Sequence, residues 1–240
     1  MNYCGLSDQG KVRLNNQDSF VVLENSGNIL ALVCDGIGGA KDGDWASSLV
    51  TDCLGDSFMK TEKLTTIDEA KAWFVKQVGI ANRQIYNRSL TERENRGMGT
   101  TLVGVLIMDQ IVLAVNCGDS RLYRMKDNVL RQVSNDHSLV YDMVRRGELS
   151  KKEAECHPGR HILSRAIGVD AKAKCDFFEL PLNSDYLLLC SDGLTGLVPD
   201  RIIKKVLRKT ASVEEKLAEM VEIANNNGGY DNITVVLLER

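Results

Sequence analysis

An apolar run that borders a carboxylate is the arrangement in this chain most able to do chemistry, and it occurs four times. Leu30-Ala-Leu-Val-Cys34 leads into Asp35-Gly36, with Gly38 and Gly39 close behind. Ile111 to Cys117 leads through Gly118 into Asp119, Tyr186 to Ser191 leads into Asp192-Gly193, and Asp231-Asn232 opens the final run Ile233 to Leu238. Short apolar runs bounded by turn residues read as buried strands, so each aspartate should stand at a strand end. Taken alone, Asp35 reads equally well as a carboxylate satisfying loop amides in a Gly-rich turn. Four such carboxylates point instead to one shared cation, because like charges gathered in one place repel unless something positive sits among them. An all-oxygen donor set without His or Cys favours magnesium or manganese over zinc.

The elements that must position these residues follow from periodicity. Residues 1–25 read as two short strands around the polar turn Lys11 to Asn16, and Asn25-Ser-Gly-Asn28 as a hairpin turn into the strand that carries Asp35. Trp45, Ala46, Leu49, Val50, Cys53, Leu54 and Phe58 mark one face of a helix. Thr66-Ile-Asp-Glu69 is a capping box for a second, whose stripe is Trp73, Phe74, Ala81, Ile85 and Tyr86. From Gly99 to Val133 the chain is strand-rich, and connections this short predict antiparallel neighbours. Residues 134–170 break the rhythm with a charged, mixed stretch longer than a connector needs. Strands at Lys174 to Pro181 and Asp185 to Ser191, a helix from Pro199 to Lys209, a Ser212-Val-Glu-Glu215 capping box and a last strand complete the chain. Two helix pairs, each following a set of strands, predict an α+β fold with two antiparallel sheets face to face and helices outside.

Composition narrows the partners. A chain of 240 residues without a Pro-, Ser- or Gln-rich linker predicts one domain over 1–240. Net charge of −3 and a pI near 5.7 supply no basic field for nucleic acid or an anionic membrane. The amino terminus lacks a basic, apolar leader, and no apolar run approaches a membrane span, so a cytoplasmic monomer is expected. Seven cysteines contain no Cys-x-x-Cys pair, and Cys34, Cys117 and Cys190 lie inside apolar runs, where buried packing is the expected role.

The motif set resembles a known family. Arg13-Leu-Asn-Asn-Gln-Asp18, Asp35-Gly36-Ile-Gly-Gly39, Gly99-Thr-Thr101, Gly118-Asp-Ser120, Ser191-Asp-Gly193 and Asp231-Asn232 are similar, in this order, to the motifs of the metal-dependent type-2C serine/threonine protein phosphatases. The resemblance is to the compact bacterial members and covers essentially the whole chain. It implies a four-layer αββα sandwich with metals at one end of the sheets, and a mobile flap at about residues 135–170 linked to substrate choice.

The resemblance also implies site roles. Asp35, the Gly36 carbonyl, Asp192 and Asp231 would hold two central Mn2+ or Mg2+ ions, Asp18 would orient the attacking water from the adjoining shell, and Asp119 with Asp192 would hold a third ion. Arg13 would grip the substrate phosphate with its planar fork of donors. The implied reaction is hydrolysis of phosphoserine and phosphothreonine in proteins by a metal-activated water, opposing a cytoplasmic Ser/Thr kinase. The alternatives are a non-catalytic relative that binds phosphoproteins and a metal hydrolase of small phosphate esters. Many eukaryotic members have a His after the Asp-Gly pair to protonate the leaving alkoxide, where this chain has Ile37. His161, in the flap segment, is the candidate acid; the competing reading is a surface flap histidine.

Overall fold

The computed structural model describes residues 1–38, 42–91 and 97–240. Gly39 and Ala40, the end of the Gly-rich turn after Asp35, lie with Lys41 outside the described residues. Strands β1 (Asn2–Asp8), β2 (Asp18–Asn25) and β3 (Asn28–Ile37) precede helices α1 (Gly43–Met59) and α2 (Ile67–Thr91). Then come β4 (Gly99–Thr100), β5 (Leu102–Met108), β6 (Ile111–Cys117), β7 (Arg121–Lys126) and β8 (Val129–Gln132). Helices α3 (Leu139–Arg145) and α4 (Lys151–Cys156) lead to β9 (Asp176–Pro181) and β10 (Tyr186–Cys190). Helices α5 (Asp192–Thr195), α6 (Asp200–Leu207) and α7 (Val213–Asn226) lead to β11 (Ile233–Glu239).

Among the described residues every strand pairing is antiparallel, in two sheets ordered β1-β11-β10-β7-β8 and β2-β3-β5-β6-β9, with β4 paired to the end of β3. Three apolar layers separate four layers of structure. Leu30, Leu32 and Cys34 of β3 face α1 and α2, while Ala31 and Val33 face the other sheet, which is why that run is apolar without alternation. Leu188, Cys190, Val235 and Leu237 pack under α6 and α7. The αββα arrangement anticipated from the sequence is the one present.

Two expectations need adjustment. The connection between β6 and β7, three residues long, suggests adjacent strands, yet β6 pairs with β5 and β9 while β7 pairs with β10 and β8. Gly118, Asp119 and Ser120 carry the chain from one sheet to the other, held by the buried His137, whose Nδ1 accepts from Gly118 N–H at 3.1 Å and whose N–H donates to the Gly118 carbonyl at 2.9 Å. The α1 face is also rotated by about one position: Ala46, Ser47, Val50, Thr51 and Leu54 are buried while Trp45, Leu49 and Cys53 pack at its edge. Ser47 belongs inside because its hydroxyl donates to the Gln17 carbonyl at 2.6 Å, fixing the entry to β2. The capping boxes at Thr66 and Ser212 form as read, each Glu side chain returning to the cap N–H, at 3.1 and 2.9 Å. Among the described residues no helix is long and apolar enough to cross a membrane.

Residues 134–170 leave the sheets and return. Ser138 bridges Leu163 and Thr100 bridges Ile167, so both ends of the excursion are pinned while α3 buries none of its residues.

Candidate metal and phosphate site

Asp35 follows Ala31 and Val33 on the odd face of β3, so its side chain stands at the end of the space between the sheets. Asp18, the first residue of β2, is its direct partner in register. Two carboxylates opposite one another in an antiparallel pair destabilise the ladder unless a positive charge compensates. Asp119 stands at the crossover between sheets, Asp192 opens α5 after β10, and Asp231 precedes β11; all five carboxylates are half-buried.

Neighbouring motifs hold the backbone at these points. The Thr101 hydroxyl accepts from Asp35 N–H at 2.9 Å and meets Ser120 Oγ at 2.7 Å, tying the Asp35 strand to the Asp119 crossover. The Asp35 carbonyl accepts from Thr101 N–H at 2.8 Å and from the Thr100 hydroxyl at 2.9 Å. Ser191 Oγ donates to Asp18 Oδ2 at 2.7 Å and accepts from Thr234 N–H at 2.9 Å, bridging the two sheets at the site. Gly36 N–H donates to the Gln17 carbonyl at 3.1 Å, and a Cβ at Gly36 would collide with the Gly43 carbonyl. Only glycine lets β3 approach the start of α1 so closely.

The buried amide of Asn232 was quoted in the motif set without a role, and it is the main support of the loop that carries Arg13. Its Oδ1 accepts from Gln17 N–H at 2.8 Å, and its Nδ2 donates to the carbonyls of Gln9 and Asn15, both at 2.9 Å. Those partners lie more than two hundred residues away in sequence, so no local pattern could have signalled them. Arg13 is thereby placed with Nη2 donating to Asp231 Oδ2 at 2.7 Å, with half of its side chain open to solvent.

The electrostatics are those of a crowded anionic site. Burial pushes the Asp35 carboxyl well above the usual range, with Asp18 and Asp192 adding to the rise. Asp18 is raised to about 7, first by burial, against hydrogen bonds from Thr234 and Ser191 that favour its charged form. Asp119 is raised to about 8 by burial and then by Asp192. Asp192 is raised by burial and by Asp231, while His161 pulls in the opposite direction. Among the described residues no three acidic, His or Cys side chains meet the spacing of a closed metal cage. Asp18 Oδ1 and Asp192 Oδ1 are nevertheless buried without a hydrogen-bond partner. Buried carboxylate oxygens left unpaired at a site already rich in negative charge fit a hard divalent cation, and the donor set is all oxygen.

Of the three histidines, His137 serves the crossover and His157 Nδ1 accepts from Gly159 N–H at 3.0 Å, inside a turn. His161 is exposed. Cys34 and Cys190 are buried; burial drives the Cys34 thiol far up and the Cys190 thiol to about 12, so neither supplies a thiolate.

A double antiparallel sheet that gathers carboxylates from separate strand ends at one edge, with an arginine beside them, is the scaffold of a metal-dependent hydrolase of phosphate esters. Residues 9–237 match the model of the protein phosphatase 2C family. The chain is 42% identical over 236 residues to the serine/threonine phosphatase Stp of Listeria monocytogenes, an alignment covering 98% of this chain and 94% of that protein. The crystal structure of Stp1 from Staphylococcus aureus superposes with a TM-score of 0.93 at 35% identity, covering 99% of this chain and 94% of that one. A crystal structure of the PstP catalytic domain in complex with 2 manganese ions superposes with a TM-score of 0.86 at 31% identity, covering 99% and 97%. The chain belongs to the protein phosphatase 2C family, and its activity is that of a metal-dependent protein phosphatase.

Proposed function

We propose that the chain hydrolyses phosphoserine and phosphothreonine in cytoplasmic proteins, opposing a Ser/Thr kinase, as a monomer with one catalytic domain over 1–240 and a substrate-facing flap at about 135–170. The observation that carries this reading is the pairing of Asp18 with Asp35 across β2 and β3, together with the unpartnered buried oxygens of Asp18 and Asp192. Asp35, the Gly36 carbonyl, Asp192 and Asp231 would hold two Mn2+ or Mg2+ ions, and Asp119 with Asp192 a third. Such ions supply the Lewis acidity that activates a water for in-line attack on phosphorus. Asp18, fixed by the Ser191 hydroxyl, orients that water with its free oxygen. Arg13 exchanges its bond to Asp231 for a two-point grip on the phosphate, presented by the loop that Asn232 fastens. The test is turnover of a phosphothreonine peptide by the purified protein with manganese, magnesium or chelator. Turnover that appears only with added metal is expected, and full turnover after chelation would sink the reading.

Two variants examine individual roles. Arg13→Ala is expected to raise KM for phosphopeptide by about tenfold to a hundredfold, the range that loss of a charged hydrogen bond produces, with partial recovery in Arg13→Lys because an ammonium lacks the planar fork. Unchanged KM and kcat would leave Arg13 as an exposed loop residue. For His161, the leaving group decides. A Ser or Thr alkoxide needs a proton, whereas a nitrophenolate departs unaided. His161→Ala should therefore slow phosphopeptide hydrolysis markedly and hardly touch p-nitrophenyl phosphate; equal effects on both would remove His161 as the acid.

A further inference from the structure

Twelve large hydrophobic side chains are exposed among the described residues, and four of them are immediate neighbours of the groups assigned to phosphate binding and catalysis. Val12 and Leu14 flank Arg13 at 59% and 90% exposure, Tyr230 precedes Asp231 at 64%, and Ile162 follows His161 at 56%. Tertiary contacts bring the first three, from two separate stretches of chain, to one place. Lys11 N–H donates to the Gly229 carbonyl at 2.8 Å and Arg13 meets Asp231, so Val12 and Leu14 lie beside Tyr230.

The exposure of Leu14 belongs to a fastened loop. Gln9 Nε2 donates to the Arg13 carbonyl at 2.7 Å, Asn232 Nδ2 holds the Asn15 carbonyl and Asn232 Oδ1 holds Gln17 N–H, so the backbone on both sides of Leu14 is pinned and its side chain is carried outward. The Tyr230 ring lies against Gly228 with most of its surface in water. Scattered exposed hydrophobics need no explanation, but a group of them bordering a charged cleft marks a contact surface. A phosphoprotein that places its phosphate against Arg13 brings flanking chain to Val12, Leu14 and Tyr230, whereas a small phosphate ester brings nothing to meet them.

We propose that Val12, Leu14 and Tyr230 form an apolar rim that selects phosphoproteins in which the phosphorylated residue is flanked by apolar side chains. The proposal rests on the assignment of the aspartate cluster and Arg13 to phosphate hydrolysis. It is tested with two phosphothreonine peptides of equal length and charge, one with Leu and Val on either side of the phosphothreonine and one with Ser and Gly there. The wild-type protein with manganese is expected to favour the apolar-flanked peptide by about tenfold in kcat/KM, the order of discrimination one apolar contact gives. The difference should lie mostly in KM, because the rim touches the flanks in ground and transition states alike. The double variant Leu14→Ser, Tyr230→Ser should erase the preference, and Leu14→Asp should shift it towards a Lys-flanked peptide. Equal kcat/KM on the two peptides, or an unchanged preference in Leu14→Asp, would overturn the rim while the catalytic assignment stands. Failure of the wild-type protein to hydrolyse either peptide with manganese would instead overturn the assignment beneath it.

Discussion

Asp35→Asn is expected to reduce phosphopeptide turnover by several orders of magnitude while the protein remains folded, and Asp231→Asn to do the same. Each substitution keeps the shape of the side chain and removes a charge from the proposed ion-binding set, so the loss falls on metal binding and the chemistry it supports. The two variants should part in stability. Asp35 sits opposite Asp18 in register, where burial and the neighbouring carboxylates disfavour its charge, so relief of that crowding is expected to raise the melting temperature of metal-free protein. A gain of about 1 kcal/mol would appear as a rise of about 2–4 °C in a chain of this size. Asp231→Asn also gives up its ion pair with the half-exposed Arg13, a pair worth little in solvent, so its metal-free melting temperature should hardly move. Manganese should stabilise the wild-type protein by mass action and stabilise both variants far less. Melting curves with and without manganese, beside kcat on a phosphopeptide, check all of this. Near-normal turnover in either variant would place the ions elsewhere, and an unaltered manganese shift in Asp35→Asn would remove Asp35 from their ligands.

The carboxylates were legible in the chain because each one borders a local apolar run, and β5–β6 and β7–β8 were legible because their turns are local. What stayed hidden depends on distance along the chain. β1 pairs with β11 over Asn2 to Asp8, a partnership between the two ends that no window of sequence announces. The Gly118 to Ser120 connection has the length of a hairpin and crosses between sheets instead, because His137 from beyond β8 clamps it on both its N–H and its carbonyl. The four-residue α5 is too short to show a periodicity. Within the site, aspartates were readable by type and spacing, whereas Ser191 and Asn232 gained their roles from partners in the other half of the chain. The apolar rim was invisible for a further reason. Valine, leucine and tyrosine in a sequence are expected inside, and only the folded loop shows them held in water.

Gly193→Ala tests how closely the two halves of the site are fitted to each other. Gly193 lies in the first turn of α5, directly after Asp192, and a Cβ there would collide with the backbone carbonyl of Asn232. That carbonyl cannot swing aside as a flexible side chain could. It belongs to the residue that pins the Arg13 loop and follows Asp231, so relieving the clash must separate Asp192 from Asp231 or lift Asn232 from Gln9, Asn15 and Gln17. Overpacking of this kind costs about 1–3 kcal/mol, and displacement of reacting groups by about 1 Å costs roughly a hundredfold in rate. The expected result is a melting temperature several degrees lower and kcat reduced by about a hundredfold, even at saturating manganese. Gly79→Ala is the matching control. Gly79 lies inside α2 with nothing near the position a Cβ would take, so the same added methyl group meets open space and improves helix propensity by about 0.8–1 kcal/mol. That variant should melt slightly higher than wild type and turn over normally. Gly193→Ala with wild-type melting and turnover would show that α5 and the start of β11 can move apart without cost, and the close fit of Asp192 to Asp231 would then have no part in catalysis.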